Sequence, residues 1–299
     1  MSLTHVNLAL PSEINRHMPS DLALLVRHFR ATIFASMPPG AVFLRVRASS
    51  ALRALAAAKN YRTTTDMFRK LFSAFRSRPT DAAPEKPAGM YSPYSQYQLN
   101  YFYNLFFCDD LTLYRSNAAA EHMGVWRVLF AEPPDNAALL AVATNDEHEG
   151  RVRMLAFNRL RSAGVSVPEK VLLGVIVEVP LEEGLEVLAA FSDGGVRYLN
   201  SAGKVAVVEG GNSTIAPVVE QVLAAAQPIV DRIGPWQENR LPPPEGDRIR
   251  FTFLVSDGLY FGEGPLTYMQ RDDMAGPLWS KATELLTTVV NTVLAAQQA

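Results

Sequence analysis

The sequence predicts an α+β fold in which an antiparallel β-sheet packs against long helices. Short apolar runs between residues 171 and 261 alternate with Gly-containing turns, a pattern typical of hairpins and meanders. Two segments, at about 214–233 and 273–297, repeat apolar residues at helical spacing and can cover one face of a sheet. Hydrophobic residues make up 48% of the chain and charged residues 19%, so a sizeable core is expected.

Residues 1–79 are expected to form a helical, strongly basic segment. They contain twelve Lys and Arg but three Asp and Glu, whereas the remaining residues contain 16 basic and 27 acidic side chains. Ser20 can cap a first helix and Thr63 a later one at 64–78, with a short strand predicted at 41–47. We expect this segment to pack on the acidic remainder of the chain or on an acidic partner.

Residues 80–98 are rich in Pro, Ala and Ser, and they are predicted to be a linker or loop. Three tyrosines in its second half indicate that this part docks on another surface. Residues 99–299 then form the sheet-and-helix domain. Its first elements are predicted to be two strands, 124–130 and 138–143, followed by a helix at 150–162.

Six further strands form a meander of four and a final hairpin, at 171–179, 185–191, 196–199, 204–208, 248–255 and 259–261. The pair Asp193-Gly194 is a strong hairpin signal, because both central residues of a type I′ turn need positive φ. The strand at 171–179 is apolar on both faces except at Glu178. It is therefore predicted to be a central strand that is covered on both sides.

The junction Gly210-Gly211-Asn212-Ser213-Thr214, between the meander and the next helix, is the first candidate site. A helix N-terminus offers free N–H groups and a positive dipole to an anion, and glycines allow it to approach closely. No Lys follows as in a P-loop, so a nucleoside triphosphate is not implied. The alternative is an ordinary glycine turn followed by a Ser or Thr cap.

The basic side of the helix predicted at 64–78 is the second candidate site. Arg62, Arg69, Lys70 and Arg76 would meet an acidic protein surface or a second copy of the chain. Nucleic acid and membrane surfaces are less favoured, because the net charge of −2 repels polyanions at long range. The alternative is that the apolar stripe of this helix lies in the core and its basic side faces solvent.

Cys108 is the single cysteine, which excludes an internal disulfide. It ends an aromatic run and is expected to be a buried, inert thiol; the alternative is a Cys–His enzyme that uses His122 or His148. The polar run 145–149 has neither EF-hand nor zinc-site spacing, so we expect a solvated loop and no metal.

No secretory signal or membrane span is evident, so a soluble cytoplasmic protein is expected. Walker, dinucleotide, kinase and hydrolase-elbow motifs are absent, and no cofactor is expected. The sequence thus favours a non-enzymatic binding, scaffold or regulatory protein. The alternative is a small-ligand receptor or enzyme with an anionic ligand at the junction 210–214.

Overall fold

The computed structural model describes residues 43–46, 90–115, 124–182 and 184–298. The helices predicted in residues 1–79, with the basic face of Arg62, Arg69, Lys70 and Arg76, lie outside these ranges. The short strand predicted at 41–47 is confirmed at Phe43–Val46. All described residues belong to one compact unit.

The described residues form seven strands and seven α-helices. The strands are β1 (Phe43–Val46), β2 (Leu172–Leu181), β3 (Gly184–Phe191), β4 (Val196–Leu199), β5 (Val205–Val208), β6 (Arg248–Val255) and β7 (Gly258–Pro265). The helices are α1 (Tyr97–Leu105), α2 (Gly124–Leu129), α3 (Asn136–Thr144), α4 (Gly150–Ser162), α5 (Ala216–Arg232), α6 (Leu266–Met269) and α7 (Ala275–Gln298). A 3-10 helix at Leu111–Tyr114 follows α1.

The strands form one sheet in the order β1-β5-β4-β3-β2-β6-β7. Strands β2 to β7 pair antiparallel with their neighbours, and β1 pairs parallel with β5. This arrangement confirms the predicted α+β class, the meander β2–β5 and the hairpin β6–β7. The long helices predicted at 214–233 and 273–297 correspond to α5 and α7, which pack on each other.

Strand β2 is central, as predicted, and is covered on both faces. Ile176 is fully buried and belongs to the core that also contains Leu155 and Phe157 of α4. The alternating residues Val175 and Val177 are buried as well but lie outside that cluster, and α5 also contacts β2. Such two-sided burial explains why the strand is apolar at nearly every position.

The strands predicted at 124–130 and 138–143 are wrong, because these residues form the helices α2 and α3. Short apolar runs do not distinguish a strand from a buried helix by their periodicity. Helix α3 is favoured by an N-terminal cap. The carboxylate of Asp135 accepts hydrogen bonds of 3.0 Å from the N–H groups of Ala137 and Ala138. Helix α2 is fixed by Trp126, whose ring stacks between Tyr114 and Phe130.

The predicted hairpin between β3 and β4 is confirmed, but its turn is not of type I′, because Asp193 does not have the positive φ that this turn requires. Gly194 has a φ of 79°, and its N–H donates to the carbonyl of Phe191 at 2.9 Å. A Cβ atom at Gly194 would lie 3.1 Å from the Cβ of Ala216, the first residue of α5. This turn therefore needs glycine both for its conformation and for the close approach of α5.

The described part of the predicted linker, from Met90 onward, packs on the sheet-and-helix domain. Met90 and Tyr94 are buried, and the Tyr94 hydroxyl donates to the carbonyl of Leu185 in β3 at 2.9 Å. The Asn100 side chain holds the same turn, donating to Tyr94 O and accepting from Tyr94 N, each at 2.8 Å. The domain boundaries at residues 79 and 98 stay predictions.

Candidate functional site

A polar pocket of about 600 Å³ lies between three segments that are distant in the sequence. One segment comprises Met90 and parts of residues 91–113, the second is the loop 235–240 after α5, and the third is the turn 257–259 between β6 and β7. Arg161 of α4 completes the lining. We call this cavity the Arg240 pocket, after the arginine that connects it to the core.

The chain after α5 is fastened to the edge of the sheet, which brings the loop 235–240 over the pocket. The backbone N–H of Trp236 donates to the carbonyl of Leu259 at 2.7 Å, and the Trp236 ring packs edge-on against Phe261. Gly258 permits this approach, because a Cβ atom there would lie 2.7 Å from the Cβ of Pro235. Glycine in the β6–β7 turn is thus required for the wall of the pocket.

Arg240 is held in a box of aromatic rings at the inner end of the loop. Its guanidinium carbon lies 3.8 Å from the centroid of Phe107, with the Tyr91 and Tyr103 rings at 4.8 and 5.4 Å. Nε donates to Asp109 Oδ2 and Nη2 to Asn104 Oδ1, both at 2.7 Å. The Arg240 guanidinium is thus held by cation–π contacts together with charge-assisted hydrogen bonds.

The groups around Arg240 stabilise its positively charged form. Burial alone would lower the pKa of this guanidinium, but the carboxylate of Asp109 and the neighbouring Tyr103 outweigh burial and raise the pKa above its ordinary value. The side chain is 7% exposed. A permanently charged group therefore lies beneath the surface of the pocket.

Two further buried charged residues, Glu178 and Arg250, lie in the central strands β2 and β6 of the sheet. Glu178 of β2 is fully buried and accepts a hydrogen bond of 2.6 Å from the Tyr103 hydroxyl at Oε1. Burial raises the pKa of Glu178 above its ordinary value, although Tyr103 and the nearby arginines oppose this. Arg250 of β6 donates from Nε to Glu263 Oε2 at 2.8 Å and from Nη1 to the carbonyl of Pro242 at 2.6 Å.

The lining of the Arg240 pocket carries a surplus of negative charge. Four carboxylates, Asp109, Asp110, Glu238 and Asp257, face two guanidiniums, Arg161 and Arg240. Asp109 is paired with Arg240, whereas the other three acids form no ion pair within the described residues.

Both guanidiniums of the pocket already donate to acceptors of the protein. Arg161 donates from Nη1 to the carbonyl of Ser256 at 2.5 Å, and its Nη2 contacts the Asn158 side chain. Arg240 donates to Asp109 and Asn104. Two nitrogens of each guanidinium are thus bound to acceptors of the protein, whereas the buried Nη1 of Arg240 has no partner within the described residues. The carboxylates outnumber the guanidiniums, so the electrostatic balance of the cavity favours a cationic group.

The predicted junction site at 210–214 lies elsewhere and does not line this pocket. The Asn212 side chain is buried and accepts from the N–H groups of Thr214 at 3.0 Å and Ile215 at 3.1 Å. These are donors that an anion would need, and the residue that occupies them is Asn212 rather than the Ser or Thr cap of the alternative. A Cβ atom at Gly210 would lie 2.3 Å from the carbonyl oxygen of Asp193, which explains the glycine there. The anion site stays a prediction.

Beside this junction lies a buried cluster of opposite charges rather than an open cleft. The N–H of Gly150, at the start of α4, donates to Asp193 Oδ1 at 3.2 Å, and Arg151 pairs with Glu149. Burial, followed by the charge of Glu149, raises the pKa of Asp193. Burial lowers the pKa of Arg197, with Arg151 adding to the effect, to about 10. These groups tie α4 to the β3–β4 turn.

Cys108 is fully buried, and burial raises the pKa of its thiol to about 12. Within the described residues, which do not include His122, its hydrogen-bond partners are the carbonyls of Leu105 and Phe106 and the Tyr114 hydroxyl, and His148 is not among them. A thiol held in this way is protonated at neutral pH and is a poor nucleophile. The geometry therefore matches the inert thiol expected from the aromatic run.

Sequence reasoning missed the Arg240 pocket because its residues come from loops without a motif. One available signal was Glu178, since a charge in an otherwise apolar central strand requires buried polar partners. A second was Gly234-Pro235-Trp236, where a helix stop is followed by a large aromatic residue that must be covered.

Across the described ranges, no group of three or more His, Cys, Asp and Glu side chains is arranged to hold a metal ion. The helices in those ranges are also too short or too polar to cross a membrane. No protein-family model, curated protein or solved structure matches this chain.

Proposed function

We propose that this chain is a non-enzymatic binding protein and that its Arg240 pocket receives a positively charged group of its ligand. The observation that carries the proposal is the surplus of carboxylates in the pocket. Asp110, Glu238 and Asp257 line it without an ion pair in the described part of the chain, while Arg161 and Arg240 donate to internal acceptors. An ammonium or guanidinium group would restore the charge balance there.

The size and lining of the cavity support ligand binding. About 600 Å³ falls within the range of roughly 300–1,000 Å³ that is usual for small-molecule sites. Tyr91 and Trp236 add aromatic surface next to the acids, and aromatic side chains beside carboxylates suit organic cations.

The arrangement of the titratable groups supports binding rather than catalysis. Asp257 accepts hydrogen bonds from the Lys170 N–H at 3.2 Å and the Tyr260 hydroxyl at 2.8 Å, and Asp110 caps the 3-10 helix by accepting from the Thr112 N–H at 2.8 Å. Both carboxylates thus have a structural role in the fold.

A thermal-shift and calorimetric titration of the full chain tests the proposal with three probes that share a five-carbon backbone. Cadaverine is a diamine, 1,5-pentanediol is neutral and glutarate is a dianion. At matched ionic strength we expect cadaverine to raise the melting temperature and the other two to leave it unchanged, because ligand binding to the folded state stabilises it by mass action. Equal shifts from cadaverine and 1,5-pentanediol, or stronger binding of glutarate, would contradict the proposal.

The variant Asp110→Asn/Glu238→Gln assigns the binding to the pocket. Both changes remove charge while retaining hydrogen-bonding groups, so the fold should persist and the affinity for cadaverine should fall about tenfold or more. Asp273→Asn is the matched control, because Asp273 is an exposed carboxylate outside the pocket. An equal loss of affinity in the control would mean that cadaverine binds the acidic surface in general.

We further propose that the basic residues 1–79 pack on the acidic remainder of the chain or on an acidic partner, which includes a second copy of the chain. The charge split of the sequence supports this, as twelve basic side chains precede residue 80 and 27 acidic ones follow. Changing Arg69, Lys70 and Arg76 to Ala in the full chain should then lower stability. Tight, salt-sensitive binding of DNA by the unmodified protein would argue for an external polyanion instead.

A further inference from the structure

Two polar atoms beside Tyr103 lack hydrogen-bond partners although both are buried. Glu178 Oε2 and Arg240 Nη1 form no hydrogen bond within the described residues, and their side chains are 0% and 7% exposed. Tyr103 is the common neighbour, since its hydroxyl bonds to Glu178 Oε1 and its ring lies 5.4 Å from the Arg240 guanidinium carbon. Buried polar atoms without a hydrogen-bond partner are rare in folded proteins.

A third group approaches the same carboxylate without reaching it. Arg250 Nη1 lies 3.9 Å from Glu178 Oε2, which is longer than a direct hydrogen bond. The same nitrogen donates to the carbonyl of Pro242, two residues after Arg240, so the arginine is held in place by the loop. Arg250 therefore does not supply the missing hydrogen bond of Glu178 Oε2.

We propose that the domain binds one internal water molecule between these side chains. The water accepts a hydrogen bond from Arg240 Nη1 and donates one to Glu178 Oε2, with Arg250 Nη1 as an additional neighbour. It thereby satisfies two orphaned groups and links the base of the Arg240 pocket to the central strand of the sheet.

The charges and bonding capacities of the site select water over other small occupants. A metal cation would lie against the guanidiniums of Arg240 and Arg250, and an anion would lie against Glu178. The unpaired donor belongs to Arg240 and the unpaired acceptor to Glu178, so the occupant must both accept and donate. Water is neutral, has both capacities and is the usual partner of such buried groups.

A high-resolution crystal structure of the full chain tests the inference directly. We expect a density peak within about 3.2 Å of both Glu178 Oε2 and Arg240 Nη1. The inference is overturned if no peak is present, if the peak contacts one of the two atoms alone, or if either atom bonds directly to another protein group.

Two variants show whether Glu178 Oε2 is one of the protein atoms that hold the water. Tyr103→Phe removes the other hydrogen bond of the same carboxylate and should retain the water, whereas Glu178→Met removes the acceptor and should lose it. A water that persists in Glu178→Met, or disappears in Tyr103→Phe, would show that Glu178 Oε2 does not hold it. If Glu178→Met does not fold, the unmodified protein and Tyr103→Phe still decide the question.

Discussion

The hydroxyl of Tyr103 lies 2.6 Å from Oε1 of Glu178, and neither side chain is exposed to solvent. This contact joins α1, which leads into one wall of the Arg240 pocket, to the middle of the central strand β2. It explains how a carboxylate is tolerated in an apolar strand: Tyr103 supplies one donor, and Arg250 and Arg240 supply positive charge nearby.

The raised pKa of Glu178 makes stability depend on pH in a defined direction. Because burial raises the folded-state pKa above the unfolded value, the folded state binds more protons than the unfolded state between the two values. Stability from this group is therefore greatest at low pH and declines as pH rises from about the ordinary Glu pKa toward neutrality. Replacing Glu178 with Gln should remove this decline.

Urea unfolding of the unmodified protein and Glu178→Gln at several pH values between 4 and 7 measures the effect. The stability of the unmodified protein relative to the variant should fall as pH rises above the ordinary Glu pKa and should not rise again within this range. Asp273→Asn, at an exposed position, should not alter the slope. A relative stability that instead rises with pH would mean that the arginines outweigh burial and that the folded-state pKa of Glu178 is lowered.

Replacing Arg240 with Met should destabilise the protein by about 1.5–3 kcal/mol, because a hydrogen bond that involves a charged group contributes roughly this much and its acceptors lose their donor. Those acceptors are Asp109 and Asn104, and the rings around the guanidinium would lose their cation as well. Equilibrium unfolding in urea provides the measurement. Arg248 supplies the matched control, since it also pairs with a carboxylate but is 49% exposed, and Arg248→Met should cost less than about 1 kcal/mol.

Replacing Gly194 with Val should destabilise the protein by about 1–3 kcal/mol, because a β-branched residue resists positive φ. The new side chain would also meet Ala216, at the start of α5. Gly234→Val is the control, since Gly234 lacks positive φ and a Cβ atom there would have no neighbour within 4 Å. Thermal unfolding measures the stability of both variants. If Gly194→Val and Gly234→Val lose the same stability, the conformation of the turn is not the cause.

Replacing Ile176 with Ala should cost about 2–5 kcal/mol, as is usual for large-to-small changes in a packed core. Ile176 is fully buried in the middle of β2, where neighbouring strands limit any collapse around the deletion. Chemical denaturation gives the comparison with the unmodified protein. A loss below about 1 kcal/mol would be inconsistent with a rigid centre of the sheet.

Local chemistry was sufficient to predict the sheet strands and the long helices. Asp193-Gly194 specifies a turn through its own backbone preferences, and the two-sided apolar pattern around Ile176 marks a covered strand. The elements α2 and α3 were predicted wrongly because their short apolar runs fit either period. The state of α2 depends on a contact from elsewhere, the stacking of Tyr114 on Trp126, whereas α3 has a local cap at Asp135 that sequence reasoning assigned to a turn.

The pocket could not be predicted in the same way, because its side chains meet through tertiary structure alone. Arg240 and Asp109 are separated by 131 positions in the chain, and nothing in the surrounding sequence relates one to the other. Their meeting depends on the fastening of Trp236 to Leu259 and on the docking of residues 90–97. Glu178 signalled a need for buried polar partners, but sequence reasoning did not draw that inference and the sequence alone does not name the partners.

The position of β2 between β3 and β6 has a consequence for the order of folding. The meander β2–β5 pairs strands that are close in sequence, but Ile176 pairs with Thr252 across more than seventy residues. Contacts with such large sequence separation form late, because a long loop must first be closed. During synthesis, β2 is therefore an unpaired, strongly apolar edge until β6 emerges, and a nascent chain that pauses within α5 still presents this edge to other chains.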